Sequence, residues 1–143
     1  KILLNLEFNN NRSQFIQTNK NDIILDAYNA NPTSMSASIL NFIDINIHLK
    51  YKKLFFILGD MLELGSEELK YHQEIINLLE KNKIENCILV GEIFNRVKCI
   101  YNYNKVNHIE DIFDSIEKHN IQGYSILIKG SRKLKLEKIT HLL

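Results

Sequence analysis

One stretch of the sequence gathers a carboxylate, a phenol and two amides where a buried strand, residues 23–25, is predicted to lead into a helix. These polar residues are Asp26, Tyr28, Asn29 and Asn31. Asn31 suits the helix cap, and Pro32, the chain's only proline, suits the first helical position. Capping does not explain the other three residues. A helix start offers N–H groups to an anion and Asp26 can accept hydrogen bonds from ribose hydroxyls, so we predict a ligand site.

Two other strand ends carry side chains capable of chemistry. Asp60 lies in the segment Gly-Asp-Met-Leu-Glu-Leu-Gly at residues 59–65, and Lys129, Ser131 and Arg132 follow the last predicted strand. Those last three residues predict a compact site for a carboxylate or a phosphate. A glycine also comes directly after three predicted strands, at positions 59, 91 and 130. Such glycines either serve the turn itself or let the backbone approach a ligand at the carboxyl ends of the strands.

Short apolar runs alternate with longer amphipathic stretches, which is the pattern of βα units around a parallel sheet. The predicted buried strands span residues 23–25, 54–58, 87–90 and 125–128. Residues 14–17 alternate in polarity and predict an antiparallel N-terminal edge strand beside residues 21–26. The predicted helices span residues 32–49, 66–83, 92–101, 110–120 and 132–143. We therefore predict one α/β domain over residues 1–143, with a mostly parallel sheet and helices on both faces.

Spacing within the two longest predicted helices indicates which residues face the core. They are Met35, Ile39, Phe42, Ile43 and Ile47 in the first helix, and Leu69, His72, Ile76 and Leu79 in the second. Ser66 suits the cap of the second helix. For His72, a core position on this helix face and a place in a functional site are equally good explanations.

Charge and cysteine content exclude several classes of function. The formal net charge is +1, from 18 Lys and Arg against 17 Asp and Glu, so neither a nucleic-acid nor a membrane partner is predicted. Residues 1–5 lack a signal-peptide profile and no apolar run reaches the ~18 residues of a membrane span, which predicts a cytoplasmic protein. Cys87 and Cys99 have no CxxC spacing, so neither a disulfide framework nor a zinc site is predicted.

Three segments, in this order along the chain, resemble the C-terminal domain of the Mur ligases. They are Asp-Ala-Tyr-Asn-Ala-Asn-Pro-Thr-Ser-Met at residues 26–35, Gly-Asp-Met-Leu-Glu-Leu-Gly at residues 59–65 and Lys-Gly-Ser-Arg at residues 129–132. The resemblance extends from Arg12 to Glu137, and its first two signatures are similar to the branch that adds D-Ala-D-Ala. It implies a Rossmann-like three-layer domain of an ATP-dependent acid–amino-acid ligase in peptidoglycan precursor synthesis. In that reaction ATP phosphorylates the carboxylate of UDP-MurNAc-tripeptide, and the amine of D-Ala-D-Ala then attacks the acyl phosphate.

The resemblance also implies roles for single residues. Arg12 and Asp26 match family positions that contact the phosphate and the ribose of ATP. The loop near the nucleotide is matched by Tyr28, Asn29 and Asn31. The region that receives the incoming D-Ala-D-Ala is matched by Lys129, Ser131 and Arg132. Asp60 and His72 lie in family motifs, but the resemblance gives neither a definite role.

The sequence departs from a complete ligase because it contains no GxxxxGK[ST] loop for ATP phosphates. We therefore expect ATP and Mg²⁺ to be held mainly by a central ATPase domain that, like the N-terminal UDP-substrate domain, is absent from this chain. This fragment then holds no complete catalytic site and no metal ligands, and we expect it to be inactive alone.

Two other functions remain open at this point. A sister Mur ligase or a folylpolyglutamate synthetase would share the fold but act on another substrate. A receiver-type signalling domain would also place acids and a lysine at its strand ends, as Asp26, Asp60 and Lys129 do here. Receivers carry a second acid beside the first, however, where this chain has Ala27.

Overall fold

A computed structural model of the protein describes residues 13–49 and 52–143. The strands of this part are β1 (Gln14–Gln17), β2 (Asp22–Asp26), β3 (Lys53–Gly59), β4 (Cys87–Val90), β5 (Asn104–Val106) and β6 (Tyr124–Lys129). Its α-helices are α1 (Pro32–Leu49), α2 (Glu68–Lys81) and α3 (Ile109–His119). Short 3-10 segments lie at Gly65–Glu67, Phe94–Arg96, Arg132–Leu134 and Leu136–Leu142.

The strands form one sheet in the order β1-β2-β6-β3-β4-β5. The β1–β2 pair is antiparallel, with Gln14 opposite Leu25, and every other pair is parallel. Strands β2, β3, β4 and β6 are the continuous apolar runs, as expected for strands covered on both faces. The predicted fold class, including the antiparallel edge strand, is confirmed.

Alternate residues of each strand feed two separate cores. On one face α1 and α2 pack over residues such as Ile24, Phe56 and Leu127, where the rings of Phe42 and Phe56 meet edge to face at 5.3 Å. On the other face α3 and the segment Leu136–Leu142 pack over the remaining strand residues, for example Ile126 and Ile128. The result is a three-layer domain in which the period-2 pattern of the strands decides the face of every side chain.

Two of the predicted helices are wrong. Residues 92–101 form only the 3-10 turn Phe94–Arg96, because the backbone is extended at Val97 and then leads into β5. Strand β5, Asn-Lys-Val, is too short and polar to be recognised from its sequence. Residues 132–143 are also not one helix, since Lys135 adopts the left-handed conformation at φ 55° and separates two 3-10 segments.

Smaller corrections concern helix ends and faces. Helix α2 begins at Glu68 without a side-chain cap bond, because Ser66 lies in the preceding 3-10 turn. Ile47 is 57% exposed, since Asn46 takes the inward position of that turn and donates from its amide to the carbonyl of Phe42 (2.8 Å). Leu69 is exposed as well.

The remaining helix predictions agree with the structure. Helix α1 has the predicted bounds, and α3 differs from residues 110–120 by one residue at each end. None of the helices within residues 13–49 and 52–143 is both long and apolar enough to cross a bilayer.

Candidate functional site

The topology of β6 predicts two positions for a ligand crevice at the carboxyl edge of the sheet. Strand β6 lies between β2 and β3, whose chains continue into α1 and α2 on one face. The chain after β6 turns to the opposite face, where Leu136 and Ile139 are buried. Neighbouring strands whose connections leave towards opposite faces open a ligand crevice in α/β sheets. The candidate positions are therefore the β2–β6 crevice and the β6–β3 crevice.

The β6–β3 crevice is filled by the protein itself. A Cβ atom at Gly130 would lie 2.9 Å from the Cα atom of Gly59, so the two backbones pass too closely for a side chain. The N–H of Ser131 donates to the carbonyl of Asp60 (3.1 Å), and the Ser131 hydroxyl accepts from the N–H of Leu62 (3.0 Å). These glycines serve backbone packing rather than the approach of a ligand.

The β2–β6 crevice contains an ion pair between two of the predicted site residues. Asp26 and Lys129 are partners in the parallel register, and the Lys129 ammonium lies 2.7 Å from Oδ2 of Asp26. The ammonium also donates to the carbonyl of Asn29 (3.1 Å), and the Ser38 hydroxyl donates to Oδ2 of Asp26 (3.2 Å). Lys129 is 2% exposed, whereas the Asp26 side chain is 13% exposed.

The loop after β2 ends in a reciprocal cap. The Asn31 side chain accepts from the N–H of Ser34 (2.8 Å), and the Ser34 hydroxyl accepts from the N–H of Asn31 (3.0 Å). Pro32 is the first helical residue. The predicted capping role of Asn31 is confirmed, and this cap fixes the far end of the loop that Lys129 holds in its middle.

Exposed groups face solvent around this loop. Tyr28 and Asn29 are exposed, and the Arg132 guanidinium lies 5.3 Å from the centroid of the Tyr28 ring. This cation–π contact joins the loop after β2 to the end of β6. Arg12, the predicted phosphate contact, lies outside the described residues.

Asp60 and His72 hold the backbone of neighbouring turns. The two carboxylate oxygens of Asp60 accept from the N–H groups of Ile93 and Phe94, both at 2.9 Å. The Nε2 atom of His72 accepts from the N–H of Met61 (2.9 Å), so its Nδ1 carries the proton and donates to the carbonyl of Glu68 (2.7 Å). The imidazole of His72 is therefore neutral, and the 3.8 Å distance between its Nε2 and Oδ1 of Asp60 does not represent an ion pair.

Burial shifts both groups in the direction of the neutral form. Desolvation raises the pKa of the Asp60 carboxyl, although the bonds from Ile93 and Phe94 oppose the rise. Desolvation likewise lowers the pKa of His72, although its bond to Glu68 opposes the fall. Both residues are buried, and the hydrogen bonds described for them go to backbone groups. Within residues 13–49 and 52–143, no three His, Cys, Asp or Glu side chains converge as metal ligands.

Sequence reasoning overlooked Ser38 as a site residue. It lies on α1 and reaches back to Asp26 across twelve positions. Serine within a helix is common and usually solvated, so the sequence carried no signal for this contact.

Comparisons with known proteins place the chain in a family. The family model of the Mur ligase, glutamate ligase domain, matches residues 11–132. The UDP-N-acetylmuramoyl-tripeptide–D-alanyl-D-alanine ligase of Bacillus subtilis is 34% identical over 148 residues, covering 97% of this chain and 32% of the relative. The ligase of the same name from Borreliella burgdorferi is 30% identical and covers 98% of this chain and 31% of the relative. The chain thus spans about a third of the length of these relatives.

Solved structures share the fold. The MurF ligase of Thermotoga maritima, in complex with ADP, superposes with a TM-score of 0.76 at 23% identity, over 96% of this chain and 31% of that one. A MurF structure from Acinetobacter baumannii has a TM-score of 0.70 at 24% identity, over 96% of this chain and 30% of that one. Because the family model covers residues 11–132 of 143, this chain belongs to the Mur ligase family and carries its glutamate ligase domain.

Proposed function

We propose that residues 1–143 are the C-terminal domain of a longer cytoplasmic ligase that adds D-Ala-D-Ala to UDP-MurNAc-tripeptide at the expense of ATP. The observation that carries the proposal is the β2–β6 crevice, where two segments distant in sequence meet through Asp26 and Lys129. The names of relatives 27–34% identical to this chain support the choice of substrates. The ATP-dependent step makes an acyl phosphate, and attack by the dipeptide amine releases phosphate and forms the amide.

On this proposal the loop after β2 meets the nucleotide. Asp26 accepts hydrogen bonds from the ribose, and the exposed residues Tyr28 and Asn29 line the approach. Asn31 acts on the same loop through its cap. Arg12 is proposed for the phosphate. The loop after β2 offers a carboxylate, an aromatic ring and polar groups. These groups suit the nucleoside of ATP, which the proposal places here, better than they suit the triphosphate.

The incoming dipeptide is assigned to the end of β6. Of Lys129, Ser131 and Arg132, only Arg132 is exposed, and its guanidinium suits the carboxylate of D-Ala-D-Ala. Ser131 is bonded to the loop after β3 and supports the position of Arg132 from behind.

The phosphate-binding loop and the ligands of Mg²⁺ are assigned to a central domain, and a UDP-substrate domain precedes it. Mg²⁺, when bound there, neutralises charge on the transferred phosphoryl group. The present domain closes over that site, excludes water from the hydrolysable acyl phosphate and aligns the amine. This division of labour explains why the residues of the present domain orient and charge-stabilise the ligands, although its sequence contains no phosphate-binding loop of the GxxxxGK[ST] type.

The test is product formation by the full-length protein from ATP, UDP-MurNAc-tripeptide and D-Ala-D-Ala. We expect D-Ala-D-Ala-dependent ADP release from the full-length protein and none from residues 1–143 alone. Asp26→Ala should raise the KM for ATP by about tenfold or more, because the ribose contact is lost. Asp44→Ala, which removes a 74% exposed carboxylate on α1, should leave it unchanged.

Other outcomes would redirect the assignment. Preference for a single amino acid over D-Ala-D-Ala would indicate a sister ligase or a folylpolyglutamate synthetase. Unchanged ATP kinetics in Asp26→Ala would refute the ribose contact, and turnover by residues 1–143 alone would refute the division of the site. A receiver function would require phosphorylation by acetyl phosphate, which the burial and double hydrogen bonding of Asp60 do not favour.

A further inference from the structure

Lys129 is a buried charge that uses two of its three N–H donors inside the domain. It is the last residue of β6 and is 2% exposed. Because alternate residues of a strand lie on the same face, Lys129 lies on the side of the sheet that Leu127 faces and α1 covers. A lysine is almost never buried this deeply unless it is paired. Its ammonium contacts Oδ2 of Asp26 at 2.7 Å and the carbonyl of Asn29 at 3.1 Å. Little of the side chain is therefore left for an external ligand.

The two contacts fix two different parts of the loop after β2. One fixes the carboxylate of Asp26 at the strand end, and the other fixes the backbone at Asn29, three residues later. Ser38 supports the same Asp26 oxygen from α1, so both described contacts of this carboxylate fall on Oδ2. The orientation of Asp26 is thus set by β6 and α1 together, while part of its side chain stays exposed.

We propose that Lys129 is a positioning residue for the nucleotide side of the site: it orients Asp26 and the loop 26–31 towards ATP and does not contact the incoming dipeptide. This inference rests on the proposed function and refines it, because it moves Lys129 from the dipeptide to the nucleotide. Arg132 then carries the dipeptide contact at this strand end.

The test compares Lys129→Met with Lys133→Met in the full-length protein. Methionine keeps an unbranched stem in the core but removes the charge, and Lys133 is an exposed lysine in the adjacent 3-10 turn. Lys129→Met should raise the KM for ATP by about tenfold or more and change the KM for D-Ala-D-Ala by less than about twofold. Lys133→Met should change neither.

A double-variant cycle with Asp26→Ala covers the case in which a single variant folds poorly, because either single change leaves the other charge of the pair without its partner, whereas the double variant leaves neither. If Lys129 does not contact the dipeptide, the KM of the double variant for D-Ala-D-Ala should stay within about twofold of the wild-type value. A direct dipeptide contact would instead raise the KM for D-Ala-D-Ala in both backgrounds, which would overturn the inference. Wild-type protein without D-Ala-D-Ala-dependent ADP release would refute the proposed function, and this inference with it.

Discussion

His72 is the residue whose protonation would most disturb the turn after β3. It is fully buried, and its Nε2 accepts the only described hydrogen bond of the Met61 N–H. A proton on Nε2 would turn this acceptor into a donor, so that two N–H groups, those of Nε2 and Met61, would face each other. The charged or titratable groups that act on the imidazole are Asp60, Glu68 and Arg96.

We therefore predict that the chain loses stability in mild acid through His72. Burial lowers the pKa of His72 in the folded state below the ordinary 6.5. Between the folded-state and the unfolded-state pKa, the unfolded chain therefore binds a proton at this histidine more readily than the folded chain does. The free energy of unfolding should fall as the pH drops below about 6.5. The slope of this fall against pH should correspond to the uptake of at most one proton per molecule on unfolding. Urea denaturation at a series of pH values between 8 and 5 measures this slope.

The control is His72→Gln, which keeps an acceptor for Met61 but does not titrate. The other four histidines are exposed and remain in both proteins, so their contribution cancels in the difference between the two slopes, which reports His72 together with its effect on Asp60. Equal slopes in the wild type and the variant would contradict the prediction.

At this scale the sequence singled out Asp26 and Lys129 but assigned them to different sites, one for the nucleotide and one for the dipeptide. Asp26 and Lys129 each stood out as a polar residue at the end of an apolar run. Their contact depends on β6 lying directly beside β2 in a parallel register, although 103 positions separate the two residues. No local pattern encodes that neighbourhood, so the pairing became visible only in the folded chain.

At the scale of elements, the turn after β4 depends on Gly91. Its φ of 126° is rarely adopted by residues with a side chain, and a Cβ atom there would overlap the Asp60 carboxylate. That carboxylate cannot retreat easily, since it accepts from the N–H groups of Ile93 and Phe94. The 3-10 turn after β4 is therefore built against a side chain that comes from the end of β3.

Gly91→Ala should destabilise the chain more than a glycine substitution that changes the backbone alone. Gly123 is the matched control, because its φ is also positive, at 82°, while nothing lies within 4 Å of its added Cβ. We expect Gly123→Ala to cost about 1–2 kcal/mol from its backbone conformation. Gly91→Ala should cost about 1–3 kcal/mol more from overpacking against Asp60. Equal losses in denaturant unfolding of the two variants would contradict the proposed role of that contact.

The same turn explains why the predicted helix over residues 92–101 failed. Asp60, more than thirty positions earlier, accepts from the N–H groups of Ile93 and Phe94, which suits a helix start, but the backbone becomes extended at Val97 and the chain then leads into β5. The buried strands were predictable because continuous apolar runs are their own signal. Elements whose form depends on a distant side chain carried no such signal.

At the scale of the whole molecule, the carboxyl edge of the sheet is divided into a closed and an open half. On the β3–β4 side, the N–H groups of Met61, Leu62, Ile93 and Phe94 are all bound to the side chains of His72, Ser131 and Asp60. On the β2–β6 side, Tyr28, Asn29 and Arg132 are exposed above the Asp26–Lys129 pair. Because those four N–H groups are already bonded, we expect a ligand at this edge to contact the exposed groups of the β2–β6 side.

Together with the proposed function, this division predicts where the addition of a nucleotide changes amide hydrogen exchange in the full-length protein. Addition of ADP with Mg²⁺ should slow exchange in peptides that cover residues 26–31, because loop closure over the nucleotide restricts their opening. Peptides covering residues 59–62 and 91–96 should exchange slowly before addition and change little, since their N–H groups already have buried partners. In Asp26→Ala the effect at residues 26–31 should be lost at the same ADP concentration. Slowing confined to residues 91–96 would place the nucleotide at the β3–β4 side instead.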